Sequence, residues 1–267
     1  MSEYEYTLWQ KAIAEYIGTF SIIFFGAGAV VIDFMTAPDT LEGGQYLADG
    51  ALGMGALGWV GIALAHVLAV GLPIYVFGKV SGGHINPSVT VAFLALGRID
   101  PRDAAVYVVA QFVGGITAAL AFVAVRGTEA VTIGGMGATA PFPDVTPLQA
   151  VGSEALITFF LMLVIMAVAV DDRGPDQLAG LAIGLTIGMG ILATGNITGA
   201  SFNPARTIGP YVADTVFGGP NLWQFAWIYL VGPTVGAIAG GLLYEYVVLT
   251  PVETGQEEPA VEAATSD

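Results

Sequence analysis

Six long apolar runs set the rhythm of the chain, at residues 8–32, 52–77, 104–125, 148–170, 178–192 and 222–249. Each is near the ~20 residues a helix needs to cross the hydrocarbon core of a bilayer. The fifth is the shortest and is expected to run on toward Ile197. Helix is the expected state throughout, because lipid offers no partner to an unpaired backbone N–H or C=O. Two shorter stretches, 86–96 and 203–216, open at Asn86-Pro87 and Asn203-Pro204. At ~1.5 Å per residue, about ten residues reach only half of a ~30 Å core. Pro at the first helical position suits a helix start, where its missing N–H would go unpaired anyway. The pattern predicts an all-α membrane protein of six transmembrane helices and two re-entrant half-helices.

The pattern also repeats. Ala14-Glu15-Tyr16-Ile17-Gly18-Thr19-Phe20 is echoed by Ser153-Glu154-Ala155-Leu156-Ile157-Thr158-Phe159. Each copy opens a block of span, span, half-helix, span. Three spans per block is odd, so the second block must enter the membrane from the opposite side. Such inverted repeats place functional sites near the midplane, where broken helices meet. The expected division is an N-terminal segment 1–7, a first repeat 8–130, a connecting loop 131–147, a second repeat 148–250 and a tail 251–267. Glycine recurs every four residues at Gly180, Gly184 and Gly188, and again at Gly232, Gly236 and Gly240. Stripes of this kind let helices approach closely in lipid.

Composition agrees: 55% of residues are hydrophobic and 11% charged, against about 25% charged in an average soluble domain. The segment 1–5 is acidic and shows no signal-peptide pattern. Cys is absent and only His66 and His84 occur, so thiol catalysis, disulfides and a histidine-rich metal site are excluded. Neither a cofactor, a metal nor a nucleic-acid partner is expected, and nothing suggests an enzyme.

Positive charge sets the orientation. With both termini in the cytoplasm, the inner segments hold Lys11, Lys79, Arg98, Arg102 and Arg173, and the outer loops hold Arg126. This satisfies the positive-inside rule, in which acidic residues count for little. The net charge of -15 resides in loops and tails. Residues 251–267 are read as an acidic, disordered cytoplasmic tail, and the acidic loops suggest a halophilic source.

Chemistry concentrates at the half-helix starts. Asn86 and Asn203 sit where unpaired N–H groups and the positive end of a helix dipole collect. Each amide can cap its helix or donate to a passing water. Arg206 cannot lose its charge. A charge at membrane depth costs at least ~2.5–3.5 kcal/mol on insertion scales, which a solvated pore wall explains better than a structural ion pair. Glu15 and Glu154 are intramembrane carboxylates. A proton relay is one reading; the other is that each accepts hydrogen bonds from the loop before a half-helix, and the matched positions favour it. Gln111 is a further candidate brace. Gly82 and Gly83 allow a tight turn, and His84 shapes the same loop.

Together, Ser81-Gly82-Gly83-His84-Ile85-Asn86-Pro87-Ser88-Val89-Thr90, Asn203-Pro204-Ala205-Arg206 and the two repeat starts resemble the aquaporin (major intrinsic protein) family. The resemblance covers roughly residues 8–250. Ser88 departs from the Ala usual in the family. The resemblance implies a homotetramer in the cell membrane with one single-file pore per subunit, passing water and excluding protons and ions. Asn86 and Asn203 would be the pore donors, and Arg206 part of an outer constriction. Counting from the motifs, the other members of that filter would be His66, Ile191 and Ala200. This set is similar to that of plant vacuolar-membrane aquaporins, which implies water with ammonia or urea as further candidates. His66 could instead be an ordinary buried histidine bonded to a carbonyl. Thr207 stands where glycerol channels similar to this family carry Asp. A solute facilitator for ammonia, urea or glycerol remains the first alternative, and an ion-coupled transporter the second.

Overall fold

The computed structural model describes residues 5–37 and 55–250. Six helices in it are long and apolar enough to cross a membrane. They are labelled with the two half-helices in chain order: α1 (Leu8–Met35), α2 (Gly58–Ser81), half-helix α3 (Pro87–Ala95), α4 (Pro101–Arg126), α5 (Pro147–Val170), α6 (Asp176–Thr198), half-helix α7 (Pro204–Phe217) and α8 (Trp223–Val248). The described residues contain no strand.

Most boundaries fall within a few residues of the apolar runs, and the differences have local causes. The second span begins at Gly58 rather than at 52; residues 52–54 lie outside the described residues. It also runs four residues further, to Ser81, where Gly82 takes a left-handed φ of 89° and ends it. The fourth helix starts earlier, because the Asp100 side chain accepts from Arg102 N at 2.8 Å and Pro101 takes the first helical position. The fifth span does run past 192, to Thr198. The tail 251–267 lies outside the described residues.

The repeat extends to the helix starts. Thr7 caps α1 and Thr146 caps α5, each in a reciprocal capping box with a glutamine three residues on, Gln10 and Gln149. Within each half the first span packs on the third: α1 on α4, and α5 on α8. The two second spans, α2 and α6, pack on each other and join the halves.

Glycine permits these approaches. A methyl group on Gly71 would lie 2.7 Å from Gly180 O, and one on Gly184 would lie 2.6 Å from Val67 O. Gly232 and Gly240 press on the α5 backbone at Val151 and Phe159 in the same way. Both glycine stripes are thus helix contacts. The same helices also carry exposed Leu64, Leu68, Leu72, Leu156 and Leu185. That suits lipid, where hydrophobic burial between helices drives nothing and close van der Waals packing must serve instead.

Candidate functional site

Asn86 caps α3 and Asn203 caps α7 through the side-chain oxygen, which accepts from Ser88 N in the first case and from Ala205 N and Arg206 N in the second. The side-chain nitrogens cross over. Asn86 Nδ2 donates to Phe202 O at 2.9 Å, and Asn203 Nδ2 donates to Ile85 O at 2.9 Å. Capping, one of the two readings of these residues from the sequence, is therefore present in both, and it leaves the amide nitrogens available to donate. The oxygen of each amide is taken up by its own helix, one N–H goes to the opposite loop, and one N–H of each NH₂ is left over. The crossed pair brings the N-termini of α3 and α7 together.

The loops that deliver the asparagines are strained. Ile85, Ala200 and Phe202 have φ of 43°, 47° and 58°, in the region that costs a non-glycine residue about 1–3 kcal/mol. A buried carboxylate holds each loop in that shape. Glu15 accepts from Ser81 Oγ at 2.6 Å, His84 N at 2.9 Å, Ile85 N and Gln111 Nε2 at 2.7 Å. Glu154 accepts from Thr198 Oγ1 at 2.7 Å and from Ser201 N and Phe202 N, both at 2.9 Å. Hydrogen bonds to a charged group contribute about 1.5–3 kcal/mol each, so three or four outweigh the backbone strain. Neither carboxylate is among the residues lining the cavity described next.

A cavity of about 350 Å³ runs past the asparagines. Asn86, Asn203, His66, His84, Ala200 and Arg206 line it, together with a wall of Val70, Ile74, Val89, Leu161, Ile183 and Ile187. Arg98 borders the end away from Arg206 and is held by both oxygens of Glu245, at 2.8 and 3.0 Å. Ile191 is buried in the apolar core and does not line the cavity; Ile187, one turn before it, does.

Arg206 is 2% exposed. Its Nη1 donates to Gly137 O at 2.7 Å, while its buried Nε has no partner among the described residues. His66 Nδ1 lies 2.9 Å from Ile62 O. A carbonyl can only accept, so Nδ1 carries the proton and Nε2 is left as an acceptor. The histidine thus makes the carbonyl bond of an ordinary buried residue and still borders the cavity near Arg206.

Gly137 had no place in the sequence reading, where 131–147 figured only as a connecting loop. In the structure this segment holds the Arg206 end of the site together. Thr139 Oγ1 pairs with Thr207 Oγ1 at 2.8 Å, Thr139 O accepts from Tyr211 OH at 2.6 Å, and Phe142 N donates to Ile197 O at 2.9 Å. The one sequence signal was the glycine-rich run Gly134-Gly135-Met136-Gly137. Gln111 also proves central, donating from Nε2 to Glu15 and to Thr90. No group of three or more His, Cys, Asp or Glu among the described residues could hold a metal.

Known proteins match over almost the whole chain. The family model for the major intrinsic protein matches residues 3–244. The "Probable aquaporin AqpM" of Archaeoglobus fulgidus is 49% identical over 245 residues, covering 90% of this chain and 98% of its own. Aquaporin AqpM of Methanothermobacter thermautotrophicus is 46% identical with the same coverage. Among solved structures, the aquaglyceroporin from Plasmodium falciparum superposes with a TM-score of 0.75 at 25% identity, covering 91% of this chain and 98% of that one.

Proposed function

Because the chain belongs to the major intrinsic protein family, we propose that it is a passive membrane channel for water whose single-file step lies at the crossed asparagines. That pair is the observation that carries the reading: two helix N-termini meet beside a cavity, each leaving one amide N–H unused. A water oxygen accepting from both must turn its hydrogens outward along the pore. It then has no hydrogen bond through which a proton could hop past that point. The positive ends of α3 and α7 and the fixed charge of Arg206 raise the barrier to cations further. Between these polar points the wall is apolar, so water meets few partners that would hold it. No covalent step is involved.

In this reading Glu15 and Glu154 are braces, and His84 and Gln111 shape the first loop. His66, Ala200 and Arg206 form the filter, with Ile191 packing behind it. The Arg98 end faces the cytoplasm, following the lysine and arginine distribution. Both termini are then on the cytoplasmic side of the cell membrane, and the functional unit is a homotetramer. The test is stopped-flow light scattering on proteoliposomes. Water permeability no higher than in empty liposomes overturns the proposal.

One observation favours a second permeant. Arg206 offers donors, and His66 offers an acceptor at Nε2. A solute with both N–H groups and an acceptor atom, such as urea, or ammonia, could be matched by that pair in a way a purely donating filter would not allow. Urea and ammonia fluxes, each measured separately from water, decide it; fluxes equal to those of empty liposomes remove this reading.

A further inference from the structure

The first span is not a plain helix. Residues Ile22–Ala27 form a π-helical turn between two α-helical stretches. A π turn inserts one extra residue into the helix and re-aims the backbone around it, and such turns occur frequently at functional sites. Two of the contacts it makes lead toward His66 and Arg206. A methyl group on Gly26 would lie 2.7 Å from His66 Cδ2 and 2.9 Å from Nε2, so the imidazole edge rests on bare backbone. The next carbonyl, Ala27 O, stands against Gly137, at a separation that excludes any side chain there. Gly137 O in turn takes the Arg206 guanidinium at 2.7 Å. Ile22, the first residue of the turn, lines the cavity itself.

We propose that this π turn sets the aperture of the constriction, with Gly26 as a positioning residue that lets the His66 ring withdraw from the pore. The proposal rests on the reading that His66 lines the filter. With Nδ1 tied to Ile62 O, the ring has little freedom except to pivot about that bond. Any atom added at residue 26 pushes the ring's far edge away from α1. The solutes most affected are those wider than water.

The test uses the full chain in proteoliposomes, with water and urea fluxes measured by stopped-flow and normalised to incorporated protein. Gly26→Ala is expected to lower water flux, and urea flux by about tenfold more, the scale set by one misplaced methyl group in a fitted site. His66→Ala should raise urea flux. Gly26→Ala/His66→Ala should behave as His66→Ala does, because the added methyl then has no ring to push. A purely structural role for Gly26 would persist in the double variant. Wild-type fluxes in Gly26→Ala, or a double variant as slow as Gly26→Ala, overturn the proposal. If Gly26→Ala does not accumulate, recovery in the double variant supports the contact, and failure of both overturns it. Unchanged fluxes in His66→Ala instead remove His66 from the filter, and the proposal falls with that reading.

Discussion

The two halves of this molecule share a scaffold and differ in what they place on it. Each half has a capped first span, a buried glutamate, a strained loop and an asparagine at a half-helix start. Yet the position three residues after the asparagine is Val89 in one half and Arg206 in the other. The position matching His66 on the second span is Ile183, and that matching Ala200 is Gly83. Even Gly26, at the same distance beyond the bracing glutamate, is matched by Ile165. Val89, Ile183, Gly83 and Ile165 all line the cavity. Each set draws on both halves: Gly83 and Val89 with Ile165 and Ile183 make an apolar stretch of wall, while His66 and Gly26 from the first half meet Ala200 and Arg206 from the second. The framework is duplicated, while the arginine and imidazole beside the cavity have apolar counterparts at the matching positions.

The bracing also differs. Glu15 takes a fourth hydrogen bond, from Gln111, where the other half has Pro233. The second half-helix is tied instead to the connecting segment, by Thr139 to Thr207 and Tyr211. The capping threonines, glutamates and asparagines recur in both halves, whereas His66, Arg206, Gln111 and Thr139 break the repeat.

The largest expected effect comes from breaking what is common. Glu154→Ala leaves a hydroxyl and two backbone N–H groups without their acceptor, at about 1–3 kcal/mol for each. We expect a melting transition in detergent lowered by many degrees, or no folded protein; Glu15→Ala should do the same. A stable, conducting Glu154→Ala would mean the loop holds its shape unaided.

Next is the exchange that makes the halves alike. Arg206→Val places here the residue of its repeat counterpart, Val89. Water flux should persist, while urea flux rises by about tenfold and proton leak, read with a pH-sensitive dye inside the vesicles, becomes measurable. Unchanged selectivity would move discrimination elsewhere in the pore.

His66→Phe sharpens the comparison more gently. The bulkier ring removes the Nε2 acceptor and narrows the site, so urea or ammonia flux should fall more than water flux. An equal fall in both, or none, counts against its place in the filter.

The smallest effect lies outside the spans. At the Arg98 end, the Arg173 guanidinium grips Asp171 at 2.6 and 2.8 Å and holds its carboxyl well below the usual range. A depressed carboxylate pKa contributes stability above the ordinary value and loses it only as pH falls through the folded one. Arg173→Gln should therefore leave water flux unchanged and lower the melting temperature only slightly at neutral pH. The difference should vanish in strong acid. A marked loss of flux at neutral pH would assign this pair to the pore.

The sequence by itself determined the architecture. Apolar runs of membrane length, two Asn-Pro starts and the repeated glutamates follow from constraints that act locally: lipid satisfies no backbone group, and proline fits a helix only at its start. Asn86, Asn203 and Arg206 stood out for the same reason, being polar where polarity is costly. What only the tertiary structure decided was the company these residues keep. No local pattern announces that Gly137 accepts from Arg206, that Ile187 rather than Ile191 meets the cavity, or that a π turn brings Gly26 under His66. Those outcomes depend on how helices distant in sequence rotate and approach, and glycine backbones meeting at close range fix that approach. A backbone carbonyl or a missing side chain can serve there, and neither leaves a mark in the identity of the residue that supplies it.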